Sequence, residues 1–93
     1  MSEKIKKQIE DIFKEIYDLK IEYRVLGDIV ITAITNIATC KFDGNDEAVE
    51  AWTAIRYGYE DRRKIISTRI NDLQTEALQL KEKYFEEKEK EAQ

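Results

Sequence analysis

Histidine and proline are missing altogether, and the chain holds only three glycines, one cysteine and one methionine. Without histidine, a helical di-metal centre has no Glu-x-x-His pairs, and neither Ser-His nor Cys-His catalysis has its base. A single cysteine likewise supplies no zinc-binding thiolate set, so no cofactor or metal is expected. Cys40 has no partner for an internal disulfide, and its place after Ile37 in the apolar pattern reads as a buried thiol in a reducing compartment. Few helix breakers beside 39% charged residues is the composition of long helices, not of a sheet protein with many turns. A large excess of one charge is also lacking. The formal net charge is −4 with both signs interspersed, too acidic for a general duplex nucleic-acid binder and too mild for a DNA mimic. The opening MSEKIKKQIED has no apolar signal core. The richest apolar stretch, Val25 to Ile37, is short and interrupted by Asp28, Thr32, Thr35 and Asn36. A cytoplasmic protein with no membrane partner is the expectation.

What is present is a strict repeat. Ile5, Ile9, Ile12, Ile16, Leu19, Tyr23, Leu26, Val30, Ala33 and Ile37 recur at alternating steps of four and three. That spacing puts all of them on one seam of one α-helix. The helix is predicted over about 2–40, with Ser2 as its N-cap. Residues 41–46 break the pattern: Asp43-Gly44 signals a turn, and Asn45 can cap a second helix that opens with Asp46 and Glu47. That helix, about 46–88, repeats through Val49, Trp52, Ile66, Ile70, Leu73, Ala77, Leu80 and Tyr84. Folding the chain at the turn sets Ile70 beside Leu19, Leu73 beside Ile16 and Leu80 beside Ile9. The fold class is therefore all-α: one domain over 1–93, a long antiparallel helical hairpin with a solvated, fraying tail after Phe85.

The hairpin does not cover its own apolar surface. Val25, Ile29, Ile31 and Ile34 lie off the seam, so the first helix is apolar nearly all round beside the turn. One partner helix covers one stripe. An oligomeric helical bundle follows, built with further copies of the chain or with a second helical protein.

One segment departs from the pattern. Running the second seam back from Ile66 places Arg63, Tyr59 and Arg56 where apolar residues belong. An alternative phase with a stutter uses Ile55, Tyr59 and Arg62. Both bring arginine and tyrosine opposite the stretch from Tyr23 to Asp28, and Gly27 and Gly58 mark a close approach or a kink. The charges admit two readings. Glu60 stands four residues from Arg56 and Lys64 and three from Arg63, suited to surface ion pairs. Alternatively, Tyr23, Arg24, Arg56, Tyr59, Arg62, Arg63 and Arg69 form a basic, aromatic site: guanidinium forks grip phosphate while tyrosine faces stack on a base. That reading makes the chain a binding protein for a small anionic nucleotide, not an enzyme.

Asp72-Leu73-Gln74-Thr75 resembles the Asp-Leu-Gln-Thr-Gly segment of the phage anti-CBASS sponge family, hairpin proteins that sequester cyclic oligonucleotides. Arg24, three places before Gly27, is similar to the family's basic residue before a first-helix glycine. The resemblance implies a symmetric oligomer that binds signalling nucleotides between protomers, an anti-defence function without catalysis. The segment's glycine is Glu76 here, and the family's other binding residues have no matching positions. Phe42-Asp43-Gly44 also resembles the Trp-x-Gly turn of the WxG family of type VII secretion substrates, which implies an exported hairpin or a helical interaction module. The C-terminal Tyr-x-x-x-Asp/Glu signal of that family has Lys88 in place of its acid. Read without that resemblance, Phe42 closes the end of the core.

Overall fold

A computed structural model of the chain describes residues 2–92. Two α-helices account for it: α1, Ser2–Phe42, and α2, Asp46–Ala92. The chain is an all-α helical hairpin. Both helices run further than the sequence pattern suggests, α1 by two residues and α2 to Ala92.

The turn between them has an identifiable chemistry. Gly44 adopts a positive φ of 72°, which costs a residue without Cβ almost nothing. Its N–H donates to the Lys41 carbonyl at 3.2 Å, and the Asn45 N–H donates to the Cys40 carbonyl at 2.9 Å. This pair of bonds is the Schellman closure of a helix C-terminus, satisfying carbonyls that have no partner further along α1. Asn45 then begins α2 as expected, its Oδ1 accepting the Ala48 N–H at 3.2 Å. Two expectations fail at the helix ends. Phe42 does not close the core but stands 92% exposed, because the αL turn is complete in backbone bonds alone. Ser2 is the first residue of α1 and not its cap; its hydroxyl donates to Glu91 Oε2 at 3.0 Å.

Packing divides the chain into two compact units. Unit 1 comprises Met1–Lys20 and Thr68–Gln93; unit 2 comprises Ile21–Ser67. Each contains one segment of each helix.

In unit 1 the seams meet as the repeat requires. Ile12, Ile16, Leu73 and Ala77 form a buried cluster, with Leu19, Ile70 and Leu80 packed against it. Ile5 and Ile9 are buried further along α1. The antiparallel pairing extends to the helix end, where the Ser2 hydroxyl reaches Glu91. α2 is therefore helical through Ala92. The Ser2 hydrogen bond holds the Glu91 carboxyl below the usual carboxylate range, against an opposing effect of burial and with a lesser contribution from nearby Lys88. A folded-state pKa below the unfolded one adds stability above the unfolded value, lost as pH falls through the folded one. The site is open to water, so the effect is small.

In unit 2, Leu26, Val30, Ala33, Ile37 and Ile66 are buried, and Val49 and Trp52 are half-buried. Much apolar surface stays outside. One 18-residue window of α1 has a mean hydropathy of 1.4 and is only 22% buried, so by length and composition alone this helix could cross a membrane.

Leu73 is 1% exposed and Leu78, five residues on, is 60% exposed. Urea unfolding should therefore show Leu73→Ala losing about 2–4 kcal/mol and Leu78→Ala changing by no more than about 0.5 kcal/mol. Equal losses would contradict the seam.

Candidate functional site

Seven positions, Tyr23, Arg24, Arg56, Tyr59, Arg62, Arg63 and Arg69, make up the site predicted from sequence. Six belong to unit 2; Arg69 belongs to unit 1.

Arg63 is the residue around which unit 2 is arranged. It lies three positions before buried Ile66 and is itself half-buried, so its phase on α2 is the seam phase. Its guanidinium carbon sits 3.9 Å from the centroid of the Tyr23 ring. Its Nε donates to the Tyr23 carbonyl at 3.2 Å. In a continuous helix that carbonyl already accepts the N–H of Gly27, four residues on. A second donor can reach it because Gly27 has no side chain. A Cβ built on Gly27 would lie 2.9 Å from one terminal nitrogen of Arg63 and 3.1 Å from its guanidinium carbon. Gly27 is thus the cradle of Arg63, and Tyr23 is its lid. Stacking of this kind is worth about 0.5–2 kcal/mol, rising with desolvation.

Of the remaining arginines, Arg56 is half-buried and Arg24, Arg62 and Arg69 are exposed. Arg56 Nε donates to Glu60 Oε1 at 3.1 Å on the same helix, and its guanidinium lies 5.9 Å from the Tyr57 ring. Arg62 places Nε and a terminal nitrogen on Glu22 Oε1, at 3.2 and 3.1 Å. In unit 1, Arg69 binds Glu15 in the same fashion, through Nε at 3.3 Å and a terminal nitrogen at 3.2 Å. Both cross-helix pairs are about half-exposed, and pairs of that kind contribute about 0–1 kcal/mol. Arg24 is exposed and makes no ion pair among the described residues. Tyr59 borders a shallow hollow of about 280 Å³ that runs along α2 past Ala54, Ile55, Gly58 and Arg62.

The structure therefore joins Tyr23 with Arg63, and Tyr59 with Arg62, but does not gather the seven into one pocket. Of the two phases open on α2, the one through Arg56 and Arg63 faces inward; Ile55 and Arg62 face out. Tyr59 is the exception, since Glu60 takes the more inward position beside it. Sequence reasoning named Glu60 as an ion-pair partner but missed Glu22 and Glu15. In the fold-back register those acids lie more than a turn from the positions facing the arginines they bind, so spacing alone does not single them out. It also missed a groove of about 470 Å³ in unit 1, where Phe13, Tyr84 and Phe85 are flanked by Lys6 and Lys81. Lys81 lies over the Phe13 ring at 4.8 Å from its centroid. No group of three or more metal-ligating side chains comes together among the described residues.

The arginine cradle yields a sharp expectation. An exposed glycine-to-alanine change inside a helix gains about 1 kcal/mol. Gly27→Ala should gain less than this in the native background, because its methyl must shift the guanidinium of Arg63. In the Arg63→Ala background the same change should recover the full amount. A double-mutant cycle by chemical denaturation measures this, and additivity of the two changes would show that Arg63 does not occupy the cradle.

Searches against family models, curated proteins and solved structures return no match to this chain.

Proposed function

We propose that the protein acts by binding and not by catalysis, and that its working form is a self-assembled helical bundle. The observation that carries this is the exposed apolar surface of unit 2. Val25, Ile31, Ile34 and Ile55 are 48%, 64%, 41% and 40% exposed. A patch of this density on a small chain marks an interaction surface. The back of α1 strengthens the reading. The hydroxyls of Thr32, Thr35 and Thr39 donate to the carbonyls of Asp28, Ile31 and Thr35, at 3.1, 3.0 and 3.1 Å. Those threonines spend their donors on their own helix and present methyl groups outward. Burying those three threonines would leave their hydroxyls satisfied.

Self-assembly links folding to concentration. Thermal unfolding followed by circular dichroism should shift upward by several degrees over a hundredfold rise in protein concentration. A transition independent of concentration would count against the proposal.

A second reading, an anionic nucleotide held by the assembled protein, is supported by Arg24, which carries no carboxylate partner among the described residues, and by the exposed Tyr57 and Tyr59 near Arg56 and Arg62. Phosphate is a competent replacement for a half-exposed carboxylate on an arginine fork. The resemblance to the sponge family makes cyclic di- and trinucleotides the anions to try first. Calorimetry should then detect binding that is weakened at least tenfold by Arg24→Ala combined with Arg62→Ala. Absence of heat with every nucleotide tried would end this reading while leaving assembly untouched.

A further inference from the structure

Unit 1 carries a groove that neither its core nor the assembly proposed for unit 2 uses. Lys6, Ile9, Glu10 and Phe13 follow one another on α1 at helical spacing, and Lys81, Tyr84 and Phe85 do so on α2, so each set shares one side of its helix. The two sides border a volume of about 470 Å³, a size typical of small-molecule sites. Its walls are aromatic. Phe13 and Phe85 are 44% and 63% exposed, and the Tyr84 ring meets Phe85 edge-on with centroids 5.6 Å apart. The Lys81 ammonium lies over the Phe13 ring, 4.8 Å from its centroid. On its own helix this lysine has no acid within reach: the residues three and four places away are Ala77, Leu78, Tyr84 and Phe85. Lys7 and Lys88 each pair with an acid of their own helix. Lys6 and Lys81 make no ion pair among the described residues.

We infer that this groove binds a small monoanion with an apolar body, of the fatty carboxylate class. The alkyl chain lies on Phe13, Tyr84 and Phe85, and the carboxylate sits against the Lys81 ammonium, with Lys6 as a second base at the rim. Charge complementarity selects this occupant. An ammonium that has no carboxylate of its own and stands among apolar side chains gains most from an anion that arrives with apolar bulk, because excluding water strengthens the pair. Two lysines against one glutamate give the lining a net charge of +1. One negative charge is matched; a second would meet Glu10. A neutral lipid would leave Lys81 unanswered, and a small polar anion would leave the aromatic walls wet. The site stands apart from the assembly surface and from the nucleotide reading, whose residues belong to unit 2 except for Arg69.

The test is an amide chemical-shift titration of the full chain with octanoate, kept below its micelle-forming concentration, beside parallel titrations with octanol and acetate. The inference predicts saturable shifts centred on residues 6–13 and 81–85, octanoate binding at least about tenfold tighter than octanol, and no saturation with acetate. Lys81→Gln and Phe13→Gln should each weaken octanoate by at least about fivefold. Lys64→Gln, an exposed lysine of unit 2, should leave it unchanged. Lys81 and Phe13 are exposed, so the helices should survive both changes; circular dichroism checks this, and should one variant lose its helix signal the other carries the result. Absence of shifts at these residues would overturn the inference. So would octanol binding as tightly as octanoate, or unaltered binding in the folded groove variants. A fall in native mass in Phe13→Gln by light scattering would give the groove to a second copy. Flotation with phosphatidylcholine vesicles that is lost in Phe13→Gln would give it to a membrane. Either result would overturn the carboxylate. The assembly proposed for unit 2 stands or falls separately, on the concentration dependence of unfolding.

Discussion

A helix in contact with one other helix can bury one stripe of its surface, and the apolar residues of α1 beside the turn need more than one. From Val25 to Ile37 the helix presents isoleucine or valine on its seam and on both flanks, while the single helix available inside the chain covers the seam alone. Everything distinctive about the protein descends from this mismatch. Unit 1 leaves Phe13, Leu78 and Phe85 exposed but closes its seam, folding as an antiparallel pair around Ile12, Ile16, Leu73 and Ala77. Unit 2 spends its buried positions on a thinner core. It holds an arginine on the seam and leaves its surplus apolar surface on the outside.

The arginine is the second part of the logic. A charged residue on a helical seam costs stability unless its hydrogen bonds are met, and it then fixes which residues face one another. Arg63 meets that condition through the Tyr23 ring and the Tyr23 carbonyl, in a space that exists because position 27 is glycine. Sliding α2 along α1 by one helical turn would strand the guanidinium against apolar side chains. The Arg63 cradle thus holds the register of unit 2 with little apolar core to help it. It keeps Ile55, Tyr59 and Arg62 level with Val25, Ile29 and Glu22. The outward face is ordered by the inward arginine.

Much of this was legible in the sequence because helical periodicity is a geometric rule. Eight of the ten predicted seam residues of α1 are buried, and the exceptions, Leu19 and Tyr23, are half-buried where Ile70 and Arg63 come in. The turn was legible because Asp43-Gly44-Asn45 has few other conformations open to it. The extent of α2 was not, since a charged tail carries no pattern that distinguishes a helix anchored by Ser2 and Glu91 from a frayed one. The candidate site was legible in composition but not in arrangement. Spacing alone does not say that Arg62 and Arg69 reach across to Glu22 and Glu15. Those pairs depend on side-chain lengths and on the rotation of each helix about its axis. The proposed oligomer and the proposed ligand rest on what the hairpin leaves uncovered, which makes them inferences about a surface and not readings of a motif.

The central claim is that one chain does not complete this fold. Native mass spectrometry of the unmodified protein at micromolar concentration tests it most directly. The account predicts a dominant species at an integer multiple, two or greater, of the 11.0 kDa chain. A spectrum containing only the single chain, from a solution whose circular dichroism shows full helicity, would contradict it.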